Sequence, residues 1–214
     1  MTKKQRTIRK SISFSGIGLH TGQQTTMTLH PADANHGYKF QRSDLPDSPI
    51  IDADVDRVVS TQRGTTLEQN GAQVNTTEHI LAALYGCEVD NALIELTGPE
   101  IPIMDGSSIE FVEAIEAAGY DDQEAPRKYF KLNSNVWYED KEKGVEMLAV
   151  PEPQDEFRIT VMVDYRSPIL GTQHASMYKI SEFKDEIARS RTFVFLREVK
   201  QLANSGLIKG GDLN

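Results

Sequence analysis

The sequence contains a single cysteine, Cys87, among its 214 residues. One cysteine cannot form an internal disulfide bond, so the fold has to be stabilised by a packed core. Proteins without disulfides are typical of reducing compartments, and we therefore expect a cytoplasmic protein.

Long hydrophobic runs are also missing. A helix that crosses a bilayer needs about 20 mostly apolar residues, and a signal peptide has an apolar stretch of about 7–15 residues. The sequence shows neither pattern, so we expect no transmembrane segment. Activity at a membrane surface on an amphiphilic substrate remains open.

Positive charge is scarce as well. The chain has 23 Lys and Arg against 32 Asp and Glu, which gives a net charge of −9 and an isoelectric point of about 5.1. A nucleic-acid-binding domain usually presents a basic face, and the only basic cluster is KKQRTIRK near the N-terminus. We therefore expect no nucleic-acid partner.

The first half of the chain has strands first and helices last. SISFSGIGLH and QQTTMTLHP alternate and are rich in β-branched residues, and turn signals separate them. A helix is predicted from about Thr76 to Tyr85, with Asn75 as its cap and Gly86 at its end. The strand NALIEL follows, and a second helix begins at the capping-box pattern SSIE and ends at Gly119.

The second half repeats this order after a break. Residues 121–127 are charged, contain proline and lack periodicity, which indicates a linker between residues 1–120 and 128–214. Strands are predicted at YFKLN, NVWYED, VEMLAVP, FRITVMVDY and HASMYKI, and helices near 181–190 and 197–205. The fold class is therefore predicted as α+β, with two similar layered domains, each a β-sheet packed against helices.

The stretch NTTEHILAAL places Glu78 and His79 side by side at a predicted helix start. The partial positive charge there favours an ionised carboxylate and a neutral imidazole. Metal-assisted hydrolysis needs both groups, because a neutral imidazole can bind the metal and a carboxylate can deprotonate the attacking water.

The pair alone is a weak signal with an ordinary alternative. Glu78 could complete a capping box while His79 packs at the end of the helix. A zinc site normally needs three protein ligands, and no second histidine follows one helical turn later. The remaining histidines are scattered over strands and turns: His20, His30, His36 and His174.

Several motifs in order make the pattern specific. TIRKSISFSGIGLHTG, NTTEHILAAL, DNALIEL, GPEIPIMDGSS, SRTFVFLREV and GLIKGG together resemble the UDP-3-O-acyl-N-acetylglucosamine deacetylases, the zinc enzymes of lipid A synthesis in Gram-negative bacteria. The resemblance extends over essentially the whole sequence. It implies two layered α+β domains with the active site between them, and a UDP-linked acylated glucosamine as substrate.

The resemblance also assigns roles to residues. It makes Glu78 the general base, His79 a Zn²⁺ ligand and Thr192 a donor that stabilises the oxyanion. Leu19 and His20 are expected to border the site, and Asp105 is favoured as a turn residue. Further substrate contacts are implied for the acyl chain at Phe193, Phe195, Leu202 and Leu207, and for the nucleotide at Lys143 and Tyr165.

One part of the family pattern is not found. The family takes its other zinc ligands from a later HKxxD helix, and this sequence has no HxxxD pattern. We therefore expect a piece of a longer enzyme that is inactive alone; some relatives are fused to a hydroxyacyl-carrier-protein dehydratase domain. Two alternatives remain: a zinc amidohydrolase acting on another N-acyl sugar, and a non-catalytic relative that binds nucleotide sugars.

Overall fold

The protein is seen in a computed structural model that describes residues 3–154 and 156–212. It is an α+β protein. The strands are β1 Lys4–Ile8, β2 Ile12–Ile17, β3 Gln24–Pro31, β4 Tyr38–Arg42, β5 Ile50–Asp52, β6 Val58–Ser60, β7 Thr66–Gln69, β8 Ala72–Val74, β9 Ala92–Leu96, β10 Tyr120–Pro126, β11 Val136–Asp140, β12 Val145–Ala149, β13 Ile159–Asp164 and β14 Thr172–Met177. The helices are α1 Glu78–Gly86, α2 Ile109–Ala118 and α3 Leu196–Asn204, with 3₁₀ turns at Val55–Arg57 and Ile180–Glu182 and a π-helical turn at Phe183–Ile187.

A five-stranded sheet of order β2-β3-β9-β4-β5 forms the centre of the first half, with β4 and β9 parallel and the other pairs antiparallel. The strands alternate, so one face is apolar and the other polar. On the apolar face the ring of Phe14 packs edge-on against Phe111 of α2, with 5.0 Å between centroids. The polar face carries side-chain pairs such as Ser13 with Thr28. Helices therefore cover one face of this sheet.

The segment predicted as a linker is a strand, so that prediction of its local structure is wrong. β10 pairs antiparallel with β1. Its acidic residues form ion pairs with basic residues near the N-terminus, Arg6 with Asp122 and Arg9 with Asp121. The acidic residues that suggested a solvated linker are therefore paired with basic residues near the N-terminus. The division into domains at residues 1–120, 121–127 and 128–214 stays a prediction, and residues 1, 2, 155, 213 and 214 lie outside the described part.

The second half forms two separate hairpins, β11 with β12 and β13 with β14. The predicted strand YFKLN is absent: residues 129–133 have no strand partner in the described chain, and Phe130 is 91% exposed. The helix predicted near 181–190 consists of the 3₁₀ and π-helical turns, whereas α3 confirms the last predicted helix. A layered second domain stays a prediction.

The predicted cap of α1 is wrong, whereas Ser107 of the predicted cap of α2 does bond to the start of that helix. The side chain of Asn75 contacts Thr66 and the carbonyl of Pro99, and α1 begins only at Glu78. The hydroxyl of Ser107 donates to Asp105, and its oxygen accepts the backbone N–H of Ile109, the first residue of α2, at 3.2 Å. Asn75 instead binds neighbouring loop residues, which competes with capping.

Candidate active site at the start of α1

Side-chain atoms of Glu78 and His20 lie at the same position beside Gly64. One oxygen of Glu78, Oε2, accepts the backbone N–H of Thr65 at 2.9 Å. The second oxygen, Oε1, lies 3.5 Å from the point where a Cβ on Gly64 would sit. Nε2 of His20 and Oγ1 of Thr76 lie 3.5 Å from the same point. A carboxylate, an imidazole and a hydroxyl thus surround a position that has no side chain of its own.

His20 joins three segments of the chain. Its Nε2 lies 3.1 Å from the carbonyl oxygen of Arg63, and its Nδ1 lies 3.5 Å from the backbone nitrogen of Ile208. A neutral ring protonated on Nε2 satisfies both neighbours, because Nε2–H donates and Nδ1 accepts. The structure brings His20 and Glu78 to the same position beside Gly64; contact of Leu19 and His20 with substrate stays a prediction.

His79 follows Glu78 on α1 and is half-buried. Burial lowers the pKa of its imidazole, and the neighbouring Glu78 and Asp105 oppose that shift. A neutral imidazole is the form that binds a metal ion. Within residues 3–154 and 156–212, however, no group of three or more His, Cys, Asp or Glu side chains is placed to hold a metal. His79 suits a zinc ligand, but the described residues do not complete a site.

Thr192 is anchored to the turn that precedes α2. Its backbone N–H donates to the carbonyl of Gly106 at 2.8 Å, and Nε of Arg191 donates to the carbonyl of Asp105 at 2.6 Å. The carboxylate of Asp105 accepts two bonds from Ser107, which fits its interpretation as a turn residue. Because Ser108, in the same stretch, donates its hydroxyl to the carbonyl of His79, this turn connects Thr192 with α1.

The residues predicted to contact substrate fall into separate groups. Phe193, Phe195 and Tyr165 form a ring cluster with centroid distances of 5.5–6.2 Å. Leu202 and Leu207 line a cleft of about 280 Å³, whose other walls are polar: Gln62, Arg63, Glu198, Gln201 and Ser205.

The segment after α3, which supplies Leu207 to the cleft, contacts the loop that carries His20. Gly210 donates its backbone N–H to the carbonyl of Leu19 at 3.0 Å, so the segment after α3 lies against the loop at residues 18–22. Lys143, by contrast, sits exposed in the turn between β11 and β12, paired with Asp140. A substrate contact for any of these residues stays a prediction.

Sequence reasoning missed Glu100, which is fully buried next to the same loop. Its carboxylate accepts hydrogen bonds from His20, Thr21 and Thr76. One signal was present: GPEIPIMDG has a single acid among apolar and proline residues, before the aspartate of its turn. A buried charge requires partners, so an acid in such a context indicates an organised polar cluster.

The comparisons with known proteins identify the family of this chain. The model of the family described as LpxC, UDP-3-O-acyl N-acetylglycosamine deacetylase, matches residues 5–214. The chain therefore belongs to this deacetylase family.

Individual relatives give the same assignment. The bifunctional enzyme LpxC/FabZ of Chlorobaculum tepidum is 48% identical over 98% of this chain and 45% of that protein. The protein of the same name from Bacteroides thetaiotaomicron is 46% identical over 99% of this chain and 45% of its own length. The UDP-3-O-acyl-N-acetylglucosamine deacetylase of Methylococcus capsulatus is 39% identical over 99% of this chain and 69% of that protein. The chain thus spans less than half of the first two relatives.

Proposed function

We propose that the protein to which this chain belongs hydrolyses the acetamide of a UDP-3-O-acyl-N-acetylglucosamine in lipid A biosynthesis and releases acetate. The observation that carries the proposal is that side-chain atoms of Glu78, His20 and Thr76 converge around Gly64, with His79 next to Glu78 along α1. Membership of the deacetylase family and the activity named for the relative from Methylococcus capsulatus support the same reaction.

Glu78 acts as the general base in this proposal. The bond from Thr65 holds Oε2, and Oε1 takes a proton from the water that attacks the acetamide carbon. The hydroxyl of Thr192 donates to the oxygen that becomes negative in the tetrahedral intermediate. The proton then passes to the sugar nitrogen, the C–N bond breaks, and acetate and the free amine leave.

Zinc is the cofactor of the proposed reaction, and His79 supplies one of its ligands. A bound Zn²⁺ ion lowers the pKa of water and polarises a carbonyl group. Since the described residues hold no further ligands grouped with His79, we propose that residues 1–214 alone bind zinc weakly and are inactive.

The remaining assignments concern the substrate and its surroundings. We propose that Leu19 and His20 border the substrate site. The acyl chain contacts Phe193, Phe195, Leu202 and Leu207 in this proposal, and the nucleotide contacts Lys143 and Tyr165. No helix in the described part of the chain is long and apolar enough to cross a membrane. The family resemblance supports a cytoplasmic enzyme, and the relatives named LpxC/FabZ support a fusion to a dehydratase domain.

The proposal is tested on the full-length protein with added zinc. Glu78→Gln is expected to lower the rate of deacetylation by about 10²–10⁴-fold, the usual contribution of a positioned general base. Glu95→Gln is the matched control, because Glu95 also lies beside a histidine, His30, at 2.9 Å but on the central sheet. The readout is the free amine formed from UDP-3-O-acyl-N-acetylglucosamine.

Three results would contradict the proposal. A wild-type protein without activity on this substrate supports the non-catalytic alternative. Equal rates on acylated and unacylated UDP-sugar support an amidohydrolase with another substrate. An equal loss of rate in Glu78→Gln and Glu95→Gln would show that Glu78 is not the general base.

A further inference from the structure

Glu100 is a buried carboxylate at the point where three segments meet. Its side chain has no exposed surface. Oε1 accepts the backbone N–H of His20 at 2.9 Å and the hydroxyl of Thr76 at 2.7 Å. Oε2 accepts the backbone N–H of Thr21 at 2.8 Å and its hydroxyl at 2.7 Å. The carboxylate therefore ties the loop at residues 18–22 to the residues that precede α1.

In these contacts the side chain of Glu100 accepts hydrogen bonds through both of its oxygens. Two of the donors are backbone N–H groups, which can never accept a hydrogen bond. A carboxylate can accept at each oxygen, whereas a protonated acid or an amide would present a hydrogen to one side. The four contacts thus suit a carboxylate that accepts through both oxygens, and burial makes each of them stronger than it would be in water.

Gly18 leaves the space that the carboxylate of Glu100 occupies. A Cβ on Gly18 would overlap Oε2 of Glu100 and lie 2.7 Å from the hydroxyl of Thr21. Its backbone is not in the left-handed region, so conformation alone would admit other residues. The second glycine of the motif GIGLHTG is therefore needed for the space that Glu100 occupies.

Thr76 transmits the contact to the site. It has a φ of 59°, in the left-handed region that β-branched residues rarely adopt. Its hydroxyl binds Glu100 and also faces the same point at Gly64 as Oε1 of Glu78 and Nε2 of His20. A rare backbone conformation persists only where the surroundings enforce it, and the buried carboxylate is one such constraint.

We propose that Glu100 is a positioning residue that holds Thr76 and the loop carrying His20 so that His20 stays at the same position beside Gly64 as Glu78. The proposal rests on the proposed function of Glu78, because positioning matters for the rate only if Glu78 acts on substrate. Glu100 itself does not contact the reacting atoms.

The first test is a comparison of kcat and KM in the full-length protein with added zinc. Glu100→Gln places an amide where two backbone N–H groups need acceptors, and Gly18→Ala displaces the carboxylate without removing it. Both variants are expected to lower kcat by about 10–100-fold, as changes in residues that orient a reacting group do, with KM within about threefold of wild type.

Thr76 supplies the conservative pair for the same test. Thr76→Val removes the hydroxyl that binds Glu100 and should lower kcat in the same range, whereas Thr76→Ser keeps the hydroxyl and should restore it. Thr7→Val is the matched control, since Thr7 is also buried and uses its hydroxyl, with Asn91 and Ala32 as partners. It is expected to lower the melting temperature but not kcat.

The second readout does not depend on catalysis. In ¹⁵N-histidine-labelled wild-type protein, the neutral form of the His20 ring should carry its proton on Nε2, which faces the carbonyl oxygen of Arg63. Glu100→Gln and Gly18→Ala should shift these ring resonances or average the two tautomers, and Thr7→Val should leave them unchanged.

The two readouts separate the possible failures. Unchanged His20 resonances in folded Glu100→Gln overturn the positioning proposal, as does a kcat equal to wild type measured well below the melting temperature. An inactive wild-type protein whose His20 resonances respond as expected instead overturns the proposed function, while the structural part of the inference stands.

Discussion

At the scale of single residues, Cys87 shows how its surroundings set the chemistry of a side chain. It follows α1 and packs half-buried against the core. Burial raises the pKa of its thiol to about 11, and a hydrogen bond from Tyr120 opposes that shift. Because the thiolate is the reactive form, Cys87 is a poor nucleophile at neutral pH. The only thiol of the chain therefore behaves as a small apolar side chain.

This state of Cys87 predicts slow alkylation. Iodoacetamide at pH 7.5 should modify native protein much more slowly than protein unfolded in urea, as followed by intact mass. The folded pKa lies above the ordinary value of 9.0, so the stabilising contribution is complete below pH 9 and is lost as the pH rises towards 11. The stability difference between wild type and Cys87→Ala should change in that window. Equal native and unfolded rates at pH 7.5 would refute the assignment.

Some site residues could be read from the sequence and others could not. Glu78 and His79 are adjacent at a helix start, so the pair is visible in the sequence, and the roles proposed for it come from the family resemblance. The expected neutral state of His79 agrees with its lowered pKa, but burial is the main cause. Glu100, Gly64 and His20 come together only through tertiary contacts between distant segments, and no periodicity or spacing encodes such contacts.

At the scale of elements, Gly86 ends α1 as predicted, but for a different physical reason. The sequence predicts that Gly86 ends α1, as glycine in the left-handed conformation often does, and Gly86 is the last helical residue. Its φ is not in the left-handed region. A Cβ at this position would instead overlap the ring of Phe183. Gly86 is therefore required so that the π-helical turn can pack against the end of α1.

Gly86→Ala should therefore destabilise the protein. Overlap with a buried aromatic ring costs about 1–3 kcal/mol when a packed core cannot adjust. Urea unfolding of Gly86→Ala, Phe183→Ala and the double variant measures the coupling between the two positions. In the Phe183→Ala background, Gly86→Ala should cost almost nothing. An equal cost in both backgrounds would show that the ring of Phe183 is not the reason for the glycine.

Prediction of elements succeeded where a strand alternates against a core. β2 and β3 carry apolar side chains on alternate positions, and the structure buries that face. β10 was missed because its partner β1 is over 110 residues away and its charges are neutralised by pairing. The predicted strand YFKLN has β-forming composition, but a strand also needs a backbone partner.

At the scale of the whole molecule, burial is uneven along the chain. Most of the buried apolar residues that the structure describes precede residue 120, and the later ones are Met177, Phe183, Ala188 and Leu202. The two hairpins instead expose large apolar side chains, including Trp137, Met147, Leu148, Val161 and Met162. An isolated two-stranded hairpin is at best marginally stable in water. The stability of these 214 residues therefore resides mainly in the central sheet and its two helices.

This asymmetry predicts two classes of amide protection in the 214-residue chain. Amides in β3 and β9, central in the sheet, should exchange with deuterium only through global unfolding. Amides in β11–β14 should exchange orders of magnitude faster, because local opening of a hairpin exposes little further apolar surface. Peptide-resolved exchange in low urea measures both classes, and only the slow class should follow the global urea dependence. Equal protection and urea dependence in the hairpins and in β3 would mean that the two halves unfold as one unit, contrary to the distribution of buried side chains.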